Sequence, residues 1–125
     1  MTIFPDACYL ATLTGASSLL DKEYFVGSAL ISDTFLAFSA TPAGCSISYS
    51  MELLDINSNS WKPLTDYTLI NNILFTFNSV SRQISVGLTS DNSFARSAAY
   101  QLRMKAFITN GINFDYSTVN VNVRD

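Results

Sequence analysis

The sequence predicts an all-β protein, an antiparallel Greek-key β-sandwich of seven to eight strands. Three observations predict it. Apolar and polar residues alternate with a period of two over several segments, which marks strands with one buried and one wet face. Clusters rich in Asn, Ser, Gly and Pro separate those segments at regular intervals. No segment sustains a helical period with caps; Leu19 to Phe25 has room for one turn at most.

Taken in order, the first candidate strand is Tyr9 to Leu13, ending at Thr14-Gly15. A second, Tyr24 to Ile31, contains Gly27, which reads as a bulge or kink. Phe35 to Ala40 is aromatic-rich and expected to be buried. Ser46-Ile47-Ser48-Tyr49-Ser50-Met51-Glu52-Leu53 alternates without a fault. Ile73 to Phe77 is a further buried candidate. Ile84, Val86 and Leu88 alternate with Ser85 and Gly87. Tyr100, Leu102, Met104, Ala106 and Ile108 form an inward row, with Gln101, Arg103 and Lys105 outward. Val119, Val121 and Val123 point inward from the last strand. Asn110-Gly111 is a strong short-hairpin signal and should join the last two strands. Other turns are expected at Thr41 to Gly44, Asn57 to Ser60, Asn78-Ser79 and Ser90 to Ser93.

Residues 98–106, Ala-Ala-Tyr-Gln-Leu-Arg-Met-Lys-Ala, resemble the penultimate strand of cadherin-like and immunoglobulin-like domains. The resemblance makes Tyr100 a tyrosine corner, its hydroxyl bonded to nearby backbone. Residues 114–125 are similar to the closing strand of such repeats, which end on alternating valines and an Asp. Ile47-Ser48-Tyr49 followed by Trp61-Lys62-Pro63-Leu64 looks like the middle of cadherin-like repeats in large extracellular surface proteins. The likeness covers residues 35–125 and reaches poorly into residues 1–34. It departs from calcium-binding cadherins: Ala40-Thr41-Pro42-Ala43 carries no acid, no Asp-Arg-Glu run exists, and only Asp125 remains at the closing position. Calcium takes about six to eight oxygens, usually with several carboxylates, so no metal site is expected.

At 125 residues the chain reads as a single domain. Residues 1–34 form an N-terminal extension with early strands, and residues 35–125 the sandwich body. Charged residues are only 14%, while Ser and Thr number 17 and 11. A surface solvated by hydroxyls and amides points to a secreted β-protein, so an extracellular or cell-surface location is expected. The N-terminus lacks a signal-peptide pattern, so the chain reads as a mature form or a piece of something longer. Net charge is −3 and the seven Lys and Arg are scattered, which removes the electrostatic footprint of a nucleic-acid protein. No run of about 20 residues is apolar enough to insert in a membrane.

The two cysteines, Cys8 and Cys45, are either one disulfide or two buried thiols; the composition favours the disulfide. No histidine is present, which excludes Ser–His–Asp and Cys–His catalysis and leaves too few zinc ligands. The acids Asp21, Glu23, Asp33, Glu52, Asp55, Asp66, Asp91 and Asp115 fall in turns or on outward faces and read as solvated groups, although a glycosidase-like pair remains the enzymatic alternative. No glycine-rich phosphate loop occurs. The expectation is no enzyme and no cofactor. No Asn-x-Ser/Thr sequon exists, while the many hydroxyls leave room for O-linked glycans.

The expected function is structural or adhesive. Outward aromatics Phe107 and Tyr116 on neighbouring strands would pack on another subunit or only steady their own sheet. Trp61 is either a packing residue or a stacking platform, the basis of the alternative reading as a carbohydrate- or ligand-binding module. Leu19, Leu20, Tyr24 and Phe25 form a segment that would add a strand to a neighbour or fold back on its own domain. The partners expected are other copies or neighbouring repeats, meeting head to tail.

Overall fold

A computed structural model describes residues 8–15, 18–64, 74–87 and 94–125. It is all-β, with no α-helix among the described residues and ten strands. These are β1 (Thr12–Thr14), β2 (Lys22–Phe25), β3 (Ile31–Thr34), β4 (Ser39–Thr41), β5 (Ile47–Asp55), β6 (Ser60–Pro63), β7 (Phe75–Asn78), β8 (Gln83–Val86), β9 (Tyr100–Ile108) and β10 (Phe114–Arg124). A five-stranded sheet runs β2-β10-β9-β5-β6, a three-stranded sheet runs β3-β8-β7, and β1 pairs with β4.

The period-two segments place the core. Met51 and Leu53 of β5, the five inward residues of β9 and the three valines of β10 are all buried. Ile84, Val86 and Phe75 are buried on the other sheet. Most of these side chains join one cluster, which also takes in Tyr24, Phe35 and Phe38. Two sheets whose apolar faces share one cluster make a β-sandwich. A smaller cluster of Ala11, Cys45 and Ile108 lies where Cys8 and Leu13 pack. Cys8 and Cys45 form a disulfide, with Cα atoms 5.5 Å apart.

The strand count exceeds the expected seven to eight because the early chain is cut into short pieces. Tyr24 to Ile31 is two strands in two sheets, divided by a turn in which Gly27 has φ 88°. Only glycine enters that region without strain, so of the two expected alternatives, bulge or kink, Gly27 is the kink, a corner between two sheets. Residues 35–38 are not a strand: Phe35 and Phe38 are buried while Leu36 is exposed. The first strand begins at Thr12, and β7 begins at Phe75. Ile73, Leu88 and the turn at Ser90 to Ser93 lie outside the described residues. Asn110-Gly111 does turn the chain between β9 and β10, with Asn110 at φ 61°.

The sheet is also not wholly antiparallel. β2 pairs with β10 in parallel, Lys22 opposite Val121 and Phe25 opposite Arg124. The segment around it is fastened to the same strand. Leu19 N–H donates to the Thr118 carbonyl at 3.0 Å, and Val26 N–H to Arg124 at 2.8 Å. The early segment therefore lies along β10 of its own domain, and β3 pairs with β8.

Candidate interaction face and poles

The outer face of the five-stranded sheet gathers three of the aromatic residues singled out in the sequence. Register explains why. Phe107 of β9 stands opposite Phe114 of β10 and Ser48 of β5. Lys105 stands between Tyr116 and Ser50, and Arg103 between Thr118 and Glu52. Trp61 of β6 stands opposite Leu54. Cross-strand neighbours on one face lie within reach of one another's side chains.

They form a ladder of rings and cations. The Arg103 guanidinium lies 4.3 Å from the Trp61 ring centroid and 4.0 Å from that of Tyr116. Its Nε donates to Glu52 Oε1 at 2.7 Å. Tyr116 meets Phe114 edge-on, centroids 5.6 Å apart. Lys105 Nζ lies 4.6 Å from the Phe114 centroid and 5.8 Å from that of Phe107. Such contacts gain about 0.5–2 kcal/mol each, more where water is excluded. Trp61, Tyr116 and Phe107 are all half-buried. Arg103 covers a face of Trp61, so that side of the indole is not open to a sugar.

Two further regions emerge at the ends of the long strands. At the lower pole, the β9–β10 turn meets the start of the described chain. Ile112 N–H donates to the Tyr9 carbonyl at 3.1 Å, and Asn113 Nδ2 donates to the carbonyls of Leu10 and Ala11 at 3.3 and 2.8 Å. Tyr9, Leu10, Ile112 and Phe114 are 49–65% exposed there. At the upper pole, Phe25 beside Arg124 is 52% exposed, and Leu30 and Ile56 are each 49% exposed. Of these residues only Phe25 was marked in the sequence. Tyr9, Leu10 and Ile112 sit in turns, where the period-two rhythm gives no sign of inside or outside.

Tyr24 is not a surface residue. It is 1% exposed, and its hydroxyl donates to the Ser28 carbonyl at 2.8 Å. Alternation along β2 sends Tyr24 inward and Glu23 and Phe25 outward. Leu19 packs partly against the core, while Leu20 is 81% exposed. Tyr100 is buried near the upper pole, and its hydroxyl donates to the Phe94 carbonyl at 2.6 Å. Burial pushes its phenol above the ordinary value, against the opposing pull of Arg96.

Among the described residues the acids do not converge. Glu52 binds Arg103, Asp33 binds Lys22, Asp55 binds Lys62 and Glu23 binds Arg124. No cluster of three or more His, Cys, Asp or Glu suited to a metal occurs among the described residues. Asp66 and Asp91 lie outside them.

A scan for known protein families finds no match, and a sequence search of curated proteins finds none either. Among solved structures, the chain is similar to a chimeric titin Z1Z2 functionalised with a KLER exogenous peptide from decorin. The identity is 17% and the TM-score 0.48, over 90% of this chain and 93% of that one. It is also similar to the PKD domain of human KIAA0319, at 14% identity and a TM-score of 0.43, over 99% of this chain and 92% of that one. Both likenesses are distant. The shared core of the two sheets is what makes this chain a β-sandwich.

Proposed function

We propose that this is a non-catalytic, extracellular structural domain of the immunoglobulin-like or cadherin-like kind, and that its copies or neighbouring repeats stack head to tail. One observation carries the reading. Exposed apolar side chains sit at both poles, while Cys8 lies at one pole and Asp125 at the other. β10 spans the distance between them, eleven residues or roughly 35 Å. A unit with opposed apolar ends can join one end to the other in a heterologous contact, which extends into a filament when its rotation does not close a ring. The parallel β2–β10 pair and the Tyr100 hydroxyl bond support the domain type. The disulfide suits an oxidising compartment. The ion-paired acids offer no pair poised for hydrolysis.

Blocking the poles separately tests the stacking. Phe114→Asp alters the lower pole and Phe25→Asp the upper. The unmodified chain should grow in mass with concentration in sedimentation, and form filaments under the electron microscope. Each variant alone should stay monomeric, because every contact needs one pole of each kind. An equimolar mixture should form 1:1 dimers and nothing larger. A chain that stays monomeric at all concentrations, or variants that do not pair, overturns the reading.

A further inference from the structure

The lower end of the ring ladder lines a shallow groove of ≈ 400 Å³ on the outer sheet face, which shares Phe114 with the lower pole. Ser50 and Glu52 of β5 form one wall, Lys105 and Phe107 of β9 the floor, and Asn113 and Phe114 the other wall.

Lys105 gives the groove its chemistry. Its ammonium has aromatic neighbours, Phe114 and Phe107, and no carboxylate within salt-bridge distance among the described residues. The acid on the adjacent strand, Glu52, already holds Arg103 through Oε1. Lys105 is therefore a cation on a ring-lined floor with no protein carboxylate beside it among the described residues, open to an anion from outside. A carboxylate would take that position with a charge-assisted hydrogen bond.

The walls narrow the class. Ser50 and Asn113 offer a hydroxyl and an amide, and Glu52 Oε2 offers an acceptor. Phe107 and Phe114 offer apolar surface. A fatty acid would use the cation and the rings but leave the polar walls unpaired. A neutral sugar would leave the cation unpaired. A heavily sulfated or phosphorylated sugar would bring several anionic groups per ring to the one cation of the groove, Lys105. We infer that the groove binds a uronic-acid-type saccharide. Its carboxylate pairs with Lys105, its hydroxyls face Ser50, Asn113 and Glu52, and the apolar face of its ring packs on the part of Phe114 that Lys105 leaves exposed. This site is separate from the Trp61 platform anticipated from sequence, since Arg103 covers Trp61.

The test is a nuclear magnetic resonance titration of Phe25→Asp, a change outside the groove that keeps the protein monomeric if the stacking proposal holds and has no bearing on binding if it fails. Probes are a glucuronate oligosaccharide, the matching neutral glucose oligosaccharide, and a short poly-glutamate peptide. The uronate should shift the amides of Ser50, Lys105 and Asn113 saturably, and Trp61 fluorescence should respond through the Glu52–Arg103 link. Affinity should fall with added salt and by about tenfold in Lys105→Gln, the size expected for one lost charged hydrogen bond. The neutral oligosaccharide should bind more weakly. No shift with uronate, or an equal shift in Lys105→Gln, overturns the inference. So does binding of poly-glutamate without binding of uronate, which would make the groove a site for protein carboxylates.

Discussion

Lys22 on β2 and Asp33 on β3 form an ion pair that ties the five-stranded sheet to the three-stranded one along an open side of the sandwich. Ile31, Val86, Val119 and Val121 lie behind it around a small gap between the sheets. The pair closes the seam where the early chain crosses from one layer to the other.

The pair makes stability fall in acid. The Lys22 hydrogen bond, then the Thr34 N–H, holds the Asp33 carboxyl below its ordinary 3.8. A depressed folded value means the stabilisation is present above pH 3.8 and fades as pH drops from there through the folded value. Both side chains are partly exposed, so the pair contributes at most about 1 kcal/mol, and less in high salt. Asp33→Asn should lower the urea midpoint at neutral pH. It should also flatten the acid limb of the stability curve relative to the parent. An unchanged acid limb would show that another carboxylate governs it.

Tyr100 makes the opposite prediction in alkali. Its buried phenol is held above its ordinary 10.0. The folded state therefore keeps the proton more firmly than the unfolded chain. The contribution is full below pH 10 and is lost as pH rises through the folded value. Ionisation also removes the donor from the 2.6 Å bond to Phe94. Tyrosinate absorbance should show a phenol that titrates late, in step with unfolding. Tyr100→Phe should remove that component and cost about 1–2 kcal/mol, one buried hydrogen bond with its acceptor left unpaired.

Arg103 fastens four strands through Trp61 on β6, Glu52 on β5 and Tyr116 on β10. Arg103→Leu should cost about 2 kcal/mol, because it removes two ring contacts and leaves Glu52 without its cation. Lysine should not restore the stability, since an ammonium cannot lie flat between two rings. A double-mutant cycle with Trp61→Leu should return a coupling of about 1 kcal/mol. Coupling near zero would mean that the stack is incidental.

The sandwich was legible wherever side chains alternate over a long strand. Residues 100–108 and 119–123 were assigned correctly inside and out, because a buried strand must place every second residue in the core. The early chain was harder. Tyr24 and Phe25 have similar composition and opposite fates, and four-residue strands carry too few repeats to fix a phase. The turn at Gly27 decides the matter, yet a lone glycine signals a bend without saying which sheet follows. Phe107 and Tyr116 were visible as outward aromatics; for Trp61 the sequence leaves packing and an open platform as alternatives. Arg103 was visible only as an outward charge, because its role depends on Trp61 of β6, far away in sequence, and on the register of the β9–β10 hairpin. The lower pole was illegible for a related reason: Tyr9 and Ile112 come together through hydrogen bonds between turns.

The disulfide holds that lower pole together. Cys8 precedes Tyr9 and Leu10, and its carbonyl accepts from Ala11 N–H at 3.1 Å. A Cβ built on Gly111 would come within 2.9 Å of the same carbonyl, so the turn packs tightly on this stretch. The cross-link spans 37 residues and should stabilise the fold by roughly 3–4 kcal/mol through the unfolded chain. Cys8→Ala with Cys45→Ala should lower the urea midpoint accordingly. Where the loss is survived, hydrogen exchange should speed up first at Ala11, Gly111 and Ile112, while Leu102 and Val121 stay protected to near the global limit. Uniform acceleration across β9 and β10 would show that the cross-link acts on the whole sandwich and not on the pole.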